Sequence, residues 1–137
     1  MSDTNVNKDK KILIVDDEDH IVKYLTTLLQ DNGYKTEAAY NGKEGMEQVK
    51  KDMPDLICLD ITMPEQSGIR FYRNLKEDTA LAGIPVVIVT AVTGFGGDPE
   101  PFKKFIGSRR QVPPPEAFFS KPIEQQSFLE TLNKLLQ

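Results

Sequence analysis

Short apolar runs alternate with segments of helical periodicity along this chain, and that alternation restricts the possible folds more than any other feature. The segments between the runs place apolar residues every three or four positions, as helices with one buried face do. This order is typical of parallel strands joined by crossover helices. The predicted strands are Ile12–Val15, Tyr34–Ala39, Leu56–Leu59, Ile84–Thr90 and Ala117–Ser120. We therefore expect an α/β fold with a doubly wound, five-stranded parallel sheet.

Local signals support several of these elements. Gly33 can end the first helix in a left-handed conformation, and Asn41 can cap the next helix. The strand at 34–39 has a high polar content, which indicates a place near the sheet edge. The run at 56–59 is continuously apolar, as expected when both faces of a strand are covered.

Composition narrows the classes of function. The chain has 137 residues, enough for about one domain, and its 21 acids against 17 bases give a net charge of −4. This balance disfavours nucleic acid or a membrane surface as the main partner. Cys58 is the single cysteine, and no segment approaches the ~20 apolar residues needed to span a bilayer. We expect a cytoplasmic protein with a disordered tail at 1–10 and one domain at 11–137.

Polar residues follow the predicted strands at the ends where ligands bind in such sheets. Asp16 and Asp17 follow the first strand, Asp60 follows the third, Thr90 ends the fourth, and Lys121 follows the fifth. In open α/β sheets the carboxyl ends of the strands form the binding crevice. These five residues are therefore expected to share one pocket.

The residue types in this pocket favour phosphoryl transfer. Crowded carboxylates repel one another unless a cation compensates, and Mg²⁺ is a natural compensator because it prefers oxygen ligands. An ionised aspartate can attack phosphorus, while Lys121 and Thr90 can stabilise the phosphoryl oxygens. Helix periodicity predicts that Glu18 and Asp19 point away from the pocket and matter less for metal binding.

At this point the chain resembles a known family, the receiver domains of two-component response regulators. The matching motifs are "ILIVDDE", "DLICLDITMPEQSG", "PVVIVTA" and "FFSKP", in the family's order. The resemblance implies a flavodoxin-like strand order 2-1-3-4-5 and a phosphoacceptor at Asp60. It also implies that Asp16, Asp17, Asp60 and the backbone carbonyl of Thr62 hold Mg²⁺, which Mn²⁺ can replace.

The same resemblance assigns roles near the last two strands. Thr90 and Lys121 would assist the chemistry, Thr90 and Phe118 would form the switch, and the Lys121–Pro122 peptide bond would be cis. The protein would be a signalling phosphoacceptor that assists its own phosphorylation and dephosphorylation, rather than an enzyme. Its donor would be a histidine kinase or a histidine phosphotransfer protein, since His20 is expected to be an exposed residue in the first helical turn.

Two departures from the family pattern stand out. The aromatic residue three positions before Lys121 is Phe118, where the family often has tyrosine, so a hydroxyl is lost. The segment 93–116 makes the connection from Thr90 to Lys121 unusually long, so the helix between the fourth and fifth strands is expected to be atypical. We expect the 93–118 region to bind a downstream protein partner; the alternative is an insertion without function.

Other classes of protein fit these residues less well. Phosphatases of the haloacid dehalogenase type need a second acid two positions after the nucleophile, and here that position is Thr62. A flavodoxin-like flavin carrier would place its phosphate loop after the first strand, where this chain has acids. The alternative kept open is a receiver-fold scaffold that binds partners without phosphorylation.

Overall fold

The computed structural model describes residues 10–61, 67–90 and 115–137. Within these ranges nine elements follow one another as predicted. They are β1 (Lys11–Val15), α1 (Asp19–Asp31), β2 (Lys35–Ala39), α2 (Gly42–Lys51), β3 (Leu56–Leu59), α3 (Ser67–Glu77), β4 (Val86–Thr90), β5 (Ala117–Ser120) and α4 (Gln125–Leu135). Two predictions fall on residues outside the described ranges: the tail, apart from Lys10, and most of the atypical 93–116 segment.

The five strands form one parallel sheet in the order β2-β1-β3-β4-β5. This confirms the predicted fold class and strand order. β2 lies at an edge, and its exposed and half-buried residues explain its polar sequence. None of the helices in the described ranges is long and apolar enough to cross a membrane.

The sheet is covered on both faces, and successive strand residues alternate between two hydrophobic cores. One core packs against α2 and α3, and the other packs against α1 and α4. In β3, Ile57 and Leu59 belong to the first core, while Leu56 and Cys58 belong to the second. Burial raises the pKa of the Cys58 thiol to about 12, which fits a core residue rather than a reactive one.

The helix ends follow the local signals in the sequence. Asn41 caps α2, because its Oδ1 accepts a hydrogen bond from the Glu44 amide at 2.8 Å. The Glu44 side chain in turn accepts a bond at 2.8 Å from the amide of Tyr40, the residue before the cap. Gly33 follows α1 with φ of 91°, the left-handed conformation predicted for it. These two signals mark the start of α2 and the end of α1.

Candidate functional site

The strand register places two aspartates side by side at the carboxyl edge of the sheet. Val15 and Leu59 are paired across neighbouring strands β1 and β3, so Asp16 and Asp60 follow at the same level. The Asp60 amide donates to the Val15 carbonyl at 2.9 Å, which holds the two strand ends together. Both aspartates are only 2% exposed. A buried pair of acids is costly unless other groups compensate their charge.

Asp17 completes a group of three carboxylates. One oxygen from each of Asp16, Asp17 and Asp60 lies within 4.8 Å of the others, and Asp17 is exposed while the other two are buried. Oxygen donors of this kind suit a hard divalent cation, and the exposed member leaves a path from solvent. The residues present therefore fit Mg²⁺. The Thr62 carbonyl, also predicted to bind the metal, lies outside the described residues.

Lys121 brings a positive charge into this acidic group. Its Nζ lies 2.9 Å from Asp16 Oδ2 and 3.6 Å from Asp60 Oδ2, and the side chain is 9% exposed. The residue directly follows β5, and its peptide bond to Pro122 is cis. Lys121 thus contacts acids at the ends of two other strands, β1 and β3.

Glu18 also reaches Lys121, which the sequence did not predict. Lys121 Nζ donates to Glu18 Oε1 at 2.8 Å, although 45% of the Glu18 side chain is exposed. The expectation that helix geometry directs Glu18 away from the pocket is therefore wrong. Glu18 precedes α1 and has an extended backbone, with φ of −94° and ψ of 110°, so helical periodicity does not apply to it. Asp19 does lie on the helix, where it pairs with Lys23.

The protonation equilibria of this group reflect competition between burial and ion pairing. Burial raises the pKa of Asp16, although hydrogen bonds from the Glu18 amide and from Lys121 oppose the shift. Burial alone would lower the pKa of Lys121, but its hydrogen bonds to Glu18 and Asp16, together with the negative charges of Asp60 and Asp16, outweigh burial and raise it. The Lys121 hydrogen bond lowers the pKa of Glu18. At neutral pH Lys121 is therefore charged.

Thr90 and Phe118, the two residues predicted to form the switch, lie on the strands β4 and β5. Thr90 ends β4 and pairs with Ser120 of β5, which puts its backbone at the carboxyl edge. Phe118 is half-buried in β5 and packs against the core beneath α2 and α3. Its register partner is Ile88 of β4, two residues before Thr90. The two residues predicted to form the switch are therefore on neighbouring strands.

The fold and the site together define a class. A doubly wound parallel sheet that brings acids from β1 and β3 to a lysine after β5 is the arrangement expected of a receiver. Residues 12–95 match the family described as response regulator receiver domain, and the chain belongs to that family. It is thus a signalling domain of the two-component type.

Individual relatives agree with this assignment. The chain is 36% identical to the polar-differentiation response regulator DivK of Brucella anthropi over 127 residues, which cover 93% of this chain and 96% of DivK. The receiver domain of a signal transduction histidine kinase from Syntrophus aciditrophicus superposes with a TM-score of 0.76 at 30% identity, covering 93% and 89% of the two chains. Chemotaxis protein CheY4 of Vibrio cholerae gives a TM-score of 0.75 at 27% identity, covering 92% and 98%.

Proposed function

We propose that this chain is the phosphoacceptor of a two-component phosphorelay and that Asp60 receives the phosphoryl group. The observation that carries the proposal is a buried Asp60 carboxylate that lies 3.6 Å from Lys121 and close to two further aspartates. This environment offers a nucleophile, a positive charge and a set of metal ligands in one place. We treat residues 11–137 as the receiver domain and 1–10 as its tail.

The reaction needs few groups. An Asp60 oxygen attacks the phosphorus of a phosphohistidine on the partner protein, and a P–O bond forms as the P–N bond breaks. The imidazole nitrogen keeps the electron pair of the broken bond and is protonated by solvent. Bound Mg²⁺ would supply positive charge to the phosphoryl oxygens, with Asp16, Asp17, Asp60 and the Thr62 carbonyl as its ligands.

The protein groups position and neutralise the transferred phosphoryl group. Lys121 can place its ammonium on one phosphoryl oxygen, and the Thr90 hydroxyl can donate to another. Phe118 would then take a more inward position next to Thr90, so that phosphorylation changes the surface beside β4 and β5. Because the chain carries the phosphoryl group on its own Asp60 and assists its own phosphorylation and dephosphorylation, it acts as a switch rather than as an enzyme that turns over a separate substrate.

The donor and the output partner follow from this role. The donor is a histidine kinase or a histidine phosphotransfer protein, and the exchange takes place in the cytoplasm. The output partner binds through the 93–118 region, whose Lys103, Lys104, Arg109 and Arg110 suit an acidic protein surface. The net charge of −4 gives no support to nucleic acid or membrane as the partner.

The test is phosphorylation by acetyl phosphate with Mg²⁺, followed by intact-mass measurement. Wild type should gain one phosphoryl group, and Asp60→Asn should gain none. Asp31→Asn is the matched control, since it changes the same residue type on the exposed end of α1. Equal labelling of wild type and Asp60→Asn would remove Asp60 from the role. No labelling of wild type would favour the scaffold that binds partners without phosphorylation.

A further inference from the structure

Lys121 has two close anionic partners that differ in burial. Asp16 Oδ2 lies 2.9 Å from the ammonium and Glu18 Oε1 lies 2.8 Å from it. The Asp16 side chain is 2% exposed, whereas the Glu18 side chain is 45% exposed. The two contacts are equally short, but only Glu18 can regain water without a rearrangement of the core.

The other contacts of these two acids also hold the Asp16 carboxylate more firmly than the Glu18 carboxylate. Asp16 is held in place, because its second oxygen, Oδ1, accepts a hydrogen bond from the Glu18 amide at 2.9 Å. Glu18 occupies the N-cap position of α1, but its side chain makes no capping hydrogen bond to the helix. The helix therefore does not depend on the Glu18 carboxylate, which can leave Lys121 while α1 remains intact.

We infer that Glu18 is the resting counter-ion of Lys121 and that an incoming phosphoryl oxygen must replace it. Glu18 is thus a positioning residue for the reaction: it holds the lysine over the pocket and competes with the phosphoryl group for the ammonium. This inference rests on the proposed function, because it assumes that Lys121 binds a phosphoryl oxygen.

The exchange has a simple physical basis. Lys121 offers an ammonium with three N–H donors, and Glu18 and Asp16 each accept one of them within 2.9 Å. A dianionic phosphoryl group on Asp60 would bring oxygens near the same ammonium, and two anions on one donor repel each other. Since Asp16 is buried and held by the Glu18 amide, the exposed Glu18 carboxylate is the partner that moves into solvent.

The test compares beryllofluoride binding, with saturating Mg²⁺, in the full chain and two variants. Glu18→Gln removes the competing charge, and its affinity for beryllofluoride should rise by about two- to fivefold relative to the control, the range expected for a half-exposed ion pair. The matched control is Asp19→Asn, which removes the neighbouring exposed charge but pairs with Lys23 instead of Lys121. Mg²⁺ affinity without beryllofluoride is measured for both variants as well, so that a change in metal binding is not counted as a change in beryllofluoride binding.

The outcomes separate this inference from the proposed function. Tighter binding by Glu18→Gln than by Asp19→Asn supports the counter-ion role. Equal changes in both variants would assign the effect to general electrostatics and overturn the inference, and weaker binding by Glu18→Gln would overturn it as well. If wild type binds no beryllofluoride and accepts no phosphoryl group, the proposed function itself fails. Thermal unfolding of each variant checks that the fold is intact.

Discussion

The single residue Asp16 lowers the free energy of unfolding because the site needs its buried carboxylate for metal binding. Its carboxylate is buried, and burial raises its pKa even though Lys121 lies 2.9 Å away. The ionised form needed for metal binding is therefore destabilised in the folded protein. Sites of this kind are retained for function and commonly reduce the free energy of unfolding.

Asp16→Asn should consequently stabilise the metal-free protein. The amide oxygen can still accept the hydrogen bond from the Glu18 amide, while the buried charge is removed. We expect the free energy of unfolding to rise by about 0.5–2 kcal/mol at neutral pH, measured by urea unfolding without Mg²⁺. Asp31→Asn, on the exposed surface, should change it by less than about 0.5 kcal/mol.

The difference should depend on pH in a defined direction. Because the pKa of Asp16 is raised in the folded state, folding is opposed only when the carboxyl is ionised. Below the unfolded pKa of about 3.9 the wild type pays no such penalty, and the advantage of Asp16→Asn disappears. The advantage should grow as pH rises from that value through the raised pKa. If the difference in the free energy of unfolding between Asp16→Asn and wild type stays constant from acid to neutral pH, this account is wrong.

The positions of site residues could be predicted from the sequence where the residues directly follow predicted strands. Asp16, Asp60 and Lys121 were expected in one pocket, and the structure brings them together. Glu18 was missed because its role depends on an extended backbone just before α1, which helical periodicity does not report. An acid directly before a helix start is the signal that could have found it.

At the scale of elements, α3 packs directly against the loop that carries Asp60. A Cβ atom added to Gly68 would lie 2.2 Å from the Asp60 carbonyl oxygen and 2.9 Å from the Ile61 Cα. Both contacts are with backbone, which cannot move aside as a flexible side chain can. Glycine at this position therefore lets the first turn of α3 rest on the end of β3.

Gly68→Ala should disturb both stability and phosphorylation. We expect a loss of about 1–3 kcal/mol in the free energy of unfolding from overpacking. Phosphorylation by acetyl phosphate should slow more than this loss explains, because a displacement of about 1 Å in a reacting group can cost about a hundredfold in rate.

Gly83→Ala is the control for this effect, since among the described residues beyond its two chain neighbours no atom lies within 4 Å of its added Cβ. It should change the free energy of unfolding by less than about 0.5 kcal/mol and leave the phosphorylation rate as in wild type. If Gly68→Ala behaves like Gly83→Ala, the tight contact between α3 and the Asp60 backbone is not needed for the reaction.

The elements themselves were largely predictable, because continuous apolar runs mark buried parallel strands. β3 and β5 begin and end where predicted. β4 begins at Val86 rather than Ile84, because Ile84 lies in a turn in which its amide donates to the Leu81 carbonyl at 3.1 Å; its carbonyl accepts from Lys76. Apolarity alone cannot distinguish a strand residue from a buried turn residue, so this boundary required tertiary contacts.

At the scale of the whole molecule, Lys121 joins parts of the chain that are far apart in sequence. It follows the edge strand β5, yet it contacts acids after β1 and β3. A change in the charge on Asp60 therefore acts on Lys121 at the end of β5. Phe118 lies in the same strand, two residues before Ser120. This connection is the physical basis for expecting a response in the 93–118 region.

Hydrogen exchange can test that response. With Mg²⁺ and beryllofluoride, amide exchange should change in β5 and across 93–118 as well as near Asp60, and Asp60→Asn should abolish the change. If protection alters only in the loops after β1 and β3, the 93–118 region is not the output surface.

The two cores on either side of the sheet also determine which positions of the sequence can accept substitutions during evolution. All four residues of β3 are buried, and they alternate between the cores, so each must fit tightly packed surroundings. Four of the five β2 residues are exposed or half-buried and meet no such restriction. Accepted substitutions should therefore accumulate along the outer strand, while the strand that ends in Asp60 retains a narrow choice of apolar residues.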